Sequence, residues 1–123
     1  MTISEAIART DALKPNDYTQ NEKIQWLSRA DWQIKNEIID THEGAENVTF
    51  NGYTGTTPAD TELLAGEPYD ELYIAWLMAQ IDYFNSEYAK YNQNITKFND
   101  TYYAYSKYYN RMHMPKETKI KYF

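Results

Sequence analysis

Few residues in this chain are able to do chemistry. Its 123 residues include two histidines, His42 and His113, and no cysteine, so thiol nucleophiles, thiolate metal sites and disulfides are excluded. His42 follows Asp40 at the end of an expected helix, where an imidazolium would meet the carbonyl end of the dipole. His113 occupies the same kind of place further on. Neither belongs to a Glu-x-x-His pair or a His-Glu-x-x-His run, and no Asp-rich calcium loop is present. The glycines, Gly44, Gly52, Gly55 and Gly66, have neither Walker nor dinucleotide-binding spacing. Neighbouring carboxylates, Asp70 with Glu71 and Glu43 with Glu46, fall at helix starts or on expected surface, without an apolar enclosure to raise a pKa. The expectation is a protein that is not an enzyme and binds no metal or cofactor.

Tyrosine is the residue in excess. Of thirteen tyrosines, eleven lie from Tyr69 onward. Their rings bury area at low entropic cost while the hydroxyl stays hydrated, which suits an interface. Read in steps of three and four, Ile74, Leu77, Ile81, Phe84, Tyr88, Tyr91, Ile95, Phe98, Tyr102, Tyr105, Tyr109 and Met112 form one apolar and aromatic seam. That spacing predicts one long helix of roughly 65 Å, with a kink or break, if any, among the weak helix formers of residues 92–101. A rod of that length cannot cover its own stripe in so small a domain. Tyr88, Tyr91, Ile95, Phe98, Tyr102, Tyr105 and Tyr109 are therefore the expected contact with other chains, whereas the seam before Tyr88 reads as domain core.

The elements that position this seam follow from caps and periodicity. Thr2 or Ser4 caps a short first helix that ends at Pro15, and the Thr19–Glu22 spacing is that of a capping box. The second helix turns Ile24, Leu27, Ile34 and Ile38 inward, with Trp26, Ala30 and Ile39 beside them, and Gly44 can close it in a left-handed conformation. Residues 44–68 hold all four glycines and read as a long loop. Within it, Phe50, Asn51, Gly52 and Tyr53 carry the Asn-Gly hairpin signal, so a small two-stranded finger reaching a partner is expected there, against a plain surface flap. Pro68, followed by Asp70 and Glu71, starts the long C-terminal helix, and Pro115 stops it. The fold class is thus mostly α. One helical domain spans 1–114 with the loop inserted at 44–68, and an extended tail follows over 115–123.

The formal net charge is −6, spread unevenly. Residues 1–71 hold 14 acidic against 5 basic side chains, and residues 72–123 hold 4 against 7. Opposed potentials of this kind suit subunits that meet acidic face to basic end, or an ordinary solvated surface. No stretch is long and apolar enough to span a membrane, and the opening MTISEAIAR has no leader character, so a protein that stays in the cytoplasm where it is made is expected.

Several stretches together, DALKP, EKIQWLSRADWQIKNEIIDTHEG, FNGYT, DTELLAGEPYDELYIAWLMAQIDYFN and KFNDTYYAYSKYYNRMHMPK, resemble the head-to-tail connector (adaptor, or head completion) proteins of tailed bacteriophages. The resemblance covers most of the chain. It implies a virion protein of the neck that forms a homo-oligomeric, dodecameric ring beneath the portal protein, receives the next neck or tail protein, and continues a channel through which DNA passes without specific binding. It further implies that the C-terminal segment, with Pro115, Lys119, Ile120, Tyr122 and Phe123, docks into the portal. Another phage neck or tail component is an alternative within the same resemblance, and two other readings stand beside it. One is a nucleic-acid-binding module using Tyr102–Lys121, where aromatics alternate with Lys107, Arg111, Lys116, Lys119 and Lys121. The other is an autonomous bundle in which residues 92–101 turn and the last helix folds back.

Overall fold

Two capping boxes start the helices of the N-terminal half. In the structure, a computed structural model that describes residues 1–116, the Glu5 N–H donates to the Thr2 hydroxyl at 3.1 Å and the Thr2 N–H to the Glu5 carboxylate at 2.9 Å. That exchange satisfies two free backbone donors and launches α1, Ile3–Leu13. Thr19 and Glu22 repeat it at 3.1 and 3.2 Å to launch α2, Gln20–Glu37. Helix α1 buries Ile3, Ala6 and Ile7, and α2 buries Ile24, Trp26, Leu27, Ala30 and Ile34, with Ile38 and Ile39 just beyond its end. Two short 3-10 turns follow, Ile39–Thr41 and Ala45–Asn47, with Gly44 left-handed between them. An irregular loop then leads to α3, Glu71–Phe84, and α4, Tyr88–Met112.

The protein is mostly α, with two N-terminal helices, a long loop and a long C-terminal helix. No helix is long and apolar enough to cross a membrane among the described residues. The small hairpin expected at residues 50–53 is not formed, and the described residues hold isolated bridges, Thr2 with Glu62 and His42 with Pro115, in place of strands. Helix α3 begins at Glu71 instead of Pro68. Before it, the N–H groups of Tyr69 and Leu72 bond the carbonyls of Gly66 and Tyr69, three residues back, which holds the chain in tight turns.

The expected rod from Tyr69 to Met112 is divided at residues 85–87, not within 92–101. Ser86 takes a left-handed φ of 60°. The Glu87 N–H bonds the Asp82 carbonyl at 2.8 Å and the Ser86 N–H bonds the Tyr83 carbonyl at 3.0 Å, the two bonds of a Schellman turn. This turn consumes carbonyls that a continuing helix would need, and it reverses the chain. Trp76 then meets Phe98 at 4.9 Å between ring centroids, and Tyr69 meets Tyr105 at 5.7 Å. Such pairs, early residues of one helix with late residues of the other, make α3 and α4 an antiparallel hairpin with the most extensive helix contact in the fold.

Two buried carboxylates tie this hairpin to the rest. Asp82, fully buried, pairs with Lys14 at the end of α1 and accepts from the Asn94 amide of α4 at 2.7 Å. Asp31 of α2, also fully buried, accepts from the Tyr53 hydroxyl, from the Tyr73 hydroxyl at 2.5 Å and from the Leu64 N–H at 3.0 Å. The Tyr73 hydroxyl in turn accepts from the Ala65 N–H at 2.8 Å. Asp31 thereby pins α2, both ends of the loop and α3 to one point. Burial pushes its pKa up to about 6, against the three donors that hold it down.

Two changes test these devices. Ser86→Gly removes the steric penalty of a left-handed residue with a Cβ and should raise unfolding stability by about 0.5–1 kcal/mol in urea titration, whereas a continuous helix would lose stability on gaining a glycine. The folded pKa of Asp31 lies above its unfolded value of 3.8, so its contribution is complete below about pH 4 and is lost as pH rises through about 6. Relative to Asp31→Asn, the wild-type chain should therefore gain about 2–2.5 kcal/mol between pH 7 and pH 4. Parallel stability curves for the two proteins would show that the carboxylate is not titrating there.

Candidate functional site

The fold-back decides what the tyrosine stripe can touch. Phe98, Tyr105 and Tyr109, expected at an interface between chains, are buried within this one. Phe98 lies on Trp76, Tyr105 is within 5.7 Å of Tyr69, and the Tyr109 ring meets the edge of His42 at 4.9 Å. Tyr102 is half-buried, and its hydroxyl donates to the Glu37 carboxylate at 2.8 Å, so burial and that carboxylate both push its pKa up. Burial does the same to Tyr105. Tyr91 and Ile95 are half-buried, and Tyr88 of the expected interface set remains well exposed. Most of the stripe is therefore core, because α3 supplies the apolar surface that a neighbouring chain was expected to supply.

The FNGYT stretch is likewise turned inward. Gly52 adopts a φ of +86°, but residues 51–54 form neither a turn nor a strand, and the glycine lies against Ser28 and Trp32 of α2. Phe50 packs edge-on to Trp32 at 4.8 Å and to Tyr53 at 5.0 Å, and the Tyr53 N–H donates to the Ser28 hydroxyl at 3.0 Å. Phe50 and Tyr53 are buried, Asn51 exposed and Gly52 intermediate, so no finger projects. At the C-terminus, Pro115 lies antiparallel to His42 of the same chain. Lys119, Ile120, Tyr122 and Phe123 lie outside the described residues.

What remains open is a corner that joins Tyr88 of the expected interface to Phe84, a seam residue expected in the core, and to Tyr83 beside the seam. Around the turn between α3 and α4, Tyr83 and Phe84 are each about half exposed, at 50% and 54%, and Tyr88 is 58% exposed. They form one chain of aromatic contacts: Phe84 stacks on Trp26 at 5.7 Å with 8° between ring planes, and Tyr83 lies 5.4 Å from Phe84, 6.1 Å from Tyr88 and 5.6 Å from Tyr91. Tyr18 closes the group, its ring 5.4 Å from Trp26 and its hydroxyl donating to Asn85 at 2.7 Å. Polar anchors lie directly beneath. Lys14 joins Asp82 to Glu87 at 3.4 Å, so the exposed rings sit on a backbone that is fixed from below. Beside the corner, Leu13, Met78, Asn94 and Lys97 help to line an open groove of about 500 Å³ between α1, α3 and α4. Tyr83 escaped the sequence reading because it flanks the seam, and Phe84 because it lies on the seam itself, one residue before the reversal.

Among the described residues no cluster of three or more His, Cys, Asp or Glu side chains is placed to hold a metal ion. No buried side-chain nitrogen or oxygen there lacks a hydrogen-bond partner. Asp31, Asp82 and His42 are all engaged by groups of their own chain. The corner offers aromatic faces and edges held in place, a surface suited to binding by burial of apolar area.

The inward loop gives a test. A Cβ at Gly52 would lie 3.2 Å from Trp32 Nε1 and 3.3 Å from Ser28 Oγ, in a backbone region that L residues rarely adopt. Gly52→Ala should cost about 1–3 kcal/mol of stability and speed proteolysis within residues 44–68. In a projecting finger the backbone strain alone would remain, at the low end of that range, without the contacts to Trp32 and Ser28.

Compared with family models, with curated proteins and with solved structures, the chain matches none of them.

Proposed function

We propose that this chain is a structural subunit of a tailed-bacteriophage neck, a head-to-tail adaptor that forms a homo-oligomeric ring beneath the portal protein and receives the next neck or tail protein. The observation that carries the reading beside the sequence resemblance is the rigid aromatic corner of Tyr83, Phe84 and Tyr88. It is open on a bundle whose other aromatic rings are largely inside. An assembly subunit needs such a surface: hydrophobic enough to gain from burial, and fixed so that little ordering entropy opposes contact. The length of the seam lends this reading no support, since α3 covers it within one chain. The ring would be dodecameric like the portal, as the resemblance implies, with DNA passing through its channel without specific contacts. The particle neck would be its place after synthesis in the host cytoplasm.

The nucleic-acid reading draws less support from the fold. It needs aromatic faces beside cations, yet Tyr105 and Tyr109 are buried, and the exposed Tyr103 ring is already faced by Lys107 at 4.6 Å.

Sedimentation and negative-stain microscopy of the full chain, alone and with portal protein, test the proposal. Rings are expected in at least the mixture. Phe84→Asp with Tyr88→Asp should abolish them while leaving the helical circular dichroism signal unchanged, because both side chains are exposed in the single chain. A wild-type chain that stays monomeric in both settings would remove the reading.

A further inference from the structure

The far end of α4 carries a second device, independent of the aromatic corner. After Met112 the chain becomes extended, and His113 to Lys116 run back along the 3-10 turn that follows α2. The Glu43 N–H donates to the Met114 carbonyl at 2.8 Å, and the Lys116 N–H donates to the Thr41 carbonyl at 2.9 Å. His42 and Pro115 face each other between these two bonds. His42 and Pro115 are thus a non-hydrogen-bonded pair, whose own N–H and C=O groups point away from each other, so proline is tolerated there and the pairing gains nothing at its centre. The side chains of Met112, His113, Met114, Pro115 and Lys116 are all exposed, so closing this segment shelters little apolar surface.

His42 is the fixed post on which the segment closes. Its ring is buried; Nδ1 meets the Ile38 carbonyl at 2.5 Å, and Nε2 meets the Asn110 side chain at 2.5 Å. Tyr109 packs against the ring, and His113 stacks on the other side of the contact, 3.9 Å from the Tyr109 centroid at 12°. The post belongs to the body, held through Ile38 and α4. The segment that closes on it is held by two main-chain hydrogen bonds and one ring stack. Such a segment has a far smaller opening cost than the bundle, whose core buries the faces of four helices.

We infer that Met114–Lys116 is a strap that releases the Thr41–Glu43 edge as a unit while the four helices stay folded, with the His42–Asn110 contact setting how firmly it closes. When closed, the strap occupies the Thr41 carbonyl and the Glu43 N–H. When open, it frees both main-chain groups. This inference does not rest on the ring reading, because the bonds concerned lie within one chain.

Native-state hydrogen exchange of the full chain, followed by NMR, tests it. The Glu43 and Lys116 amides should exchange with one shared opening constant, on the order of 100-fold or more faster than the Leu27 and Leu77 amides, yet slower than in an unstructured peptide. Asn110→Ala should speed Glu43 and Lys116 by about tenfold and leave Leu27 and Leu77 unchanged. The chain has no cysteine, so Thr41→Cys with Lys116→Cys gives a single disulfide, and its closure should slow the Glu43 amide towards the rate of the bundle. Exchange of Glu43 and Lys116 in step with Leu27 would overturn the strap. So would an absence of protection at both amides, an Asn110→Ala chain with unaltered rates, or failure of the disulfide to form.

Discussion

Ser86 held left-handed at the end of α3 is the constraint from which the rest of this fold follows. A residue with a Cβ adopts that conformation at a cost, so something must hold it there. The two reverse bonds to Tyr83 and Asp82 do part of this. The Asp82 side chain does the rest, because Lys14 and Asn94 reach it from α1 and α4. A Schellman turn is commonly accompanied by a hydrophobic contact across it. Here Asp82 and Glu87 occupy the two positions concerned, and Lys14 bridges them electrostatically. Once the turn is fixed, α4 has only one place to lie, and the aromatic stripe faces α3.

The core that results is joined as much by polar groups as by apolar ones. Leu27, Leu72, Leu77 and Ile81 are completely buried and supply the bulk of the driving force, at roughly 1.5–3 kcal/mol for each such side chain. Asp31 and Asp82 lie among them with no exposure. A buried carboxylate is costly to desolvate and tolerates few arrangements of donors, which makes it a poor source of stability and a strong selector of register. Asp31 selects the positions of Tyr53, Leu64 and Tyr73 at once. A loop of some 25 residues is thereby laid along α2 and α3 without a strand of its own.

Where local chemistry decides the structure, the sequence is legible. Thr19 with Glu22 forms the box its spacing implies, Thr2, one of two candidates, caps the first helix, and Ile24, Leu27, Ile34 and Ile38 are buried as their periodicity requires. The reversal at Ser86 is not legible by the same means. Steps of three and four run through Ile81, Phe84, Tyr88 and Tyr91 without interruption, because the inner faces of two antiparallel helices carry the same pattern as one face of a single rod. Glycine at residue 86 would have marked the stop; serine carries no such mark, and Asn94, a weak helix former, lies in mid-helix with its amide on Asp82. The Asn51-Gly52 pair marked a hairpin turn that is not formed, and only the positive φ of Gly52 is realised. Trp32 and Ser28, about twenty residues earlier, lie against that glycine and hold the chain on α2.

Helix α4 gives the molecule two ends with different character. Its 25 residues span roughly 37 Å, from Tyr88 at the aromatic corner to Met112 before the strap. At the first end rigid rings lie over anchored polar groups, so contact there would gain from burial with little reordering. At the second, exposed side chains ride on a segment held mainly through its main chain, so contact there would proceed by exchange of hydrogen bonds already made. The length of α4 keeps these two ends apart, and the fold-back sets its first turn beside the last turn of α3, where the aromatic corner forms.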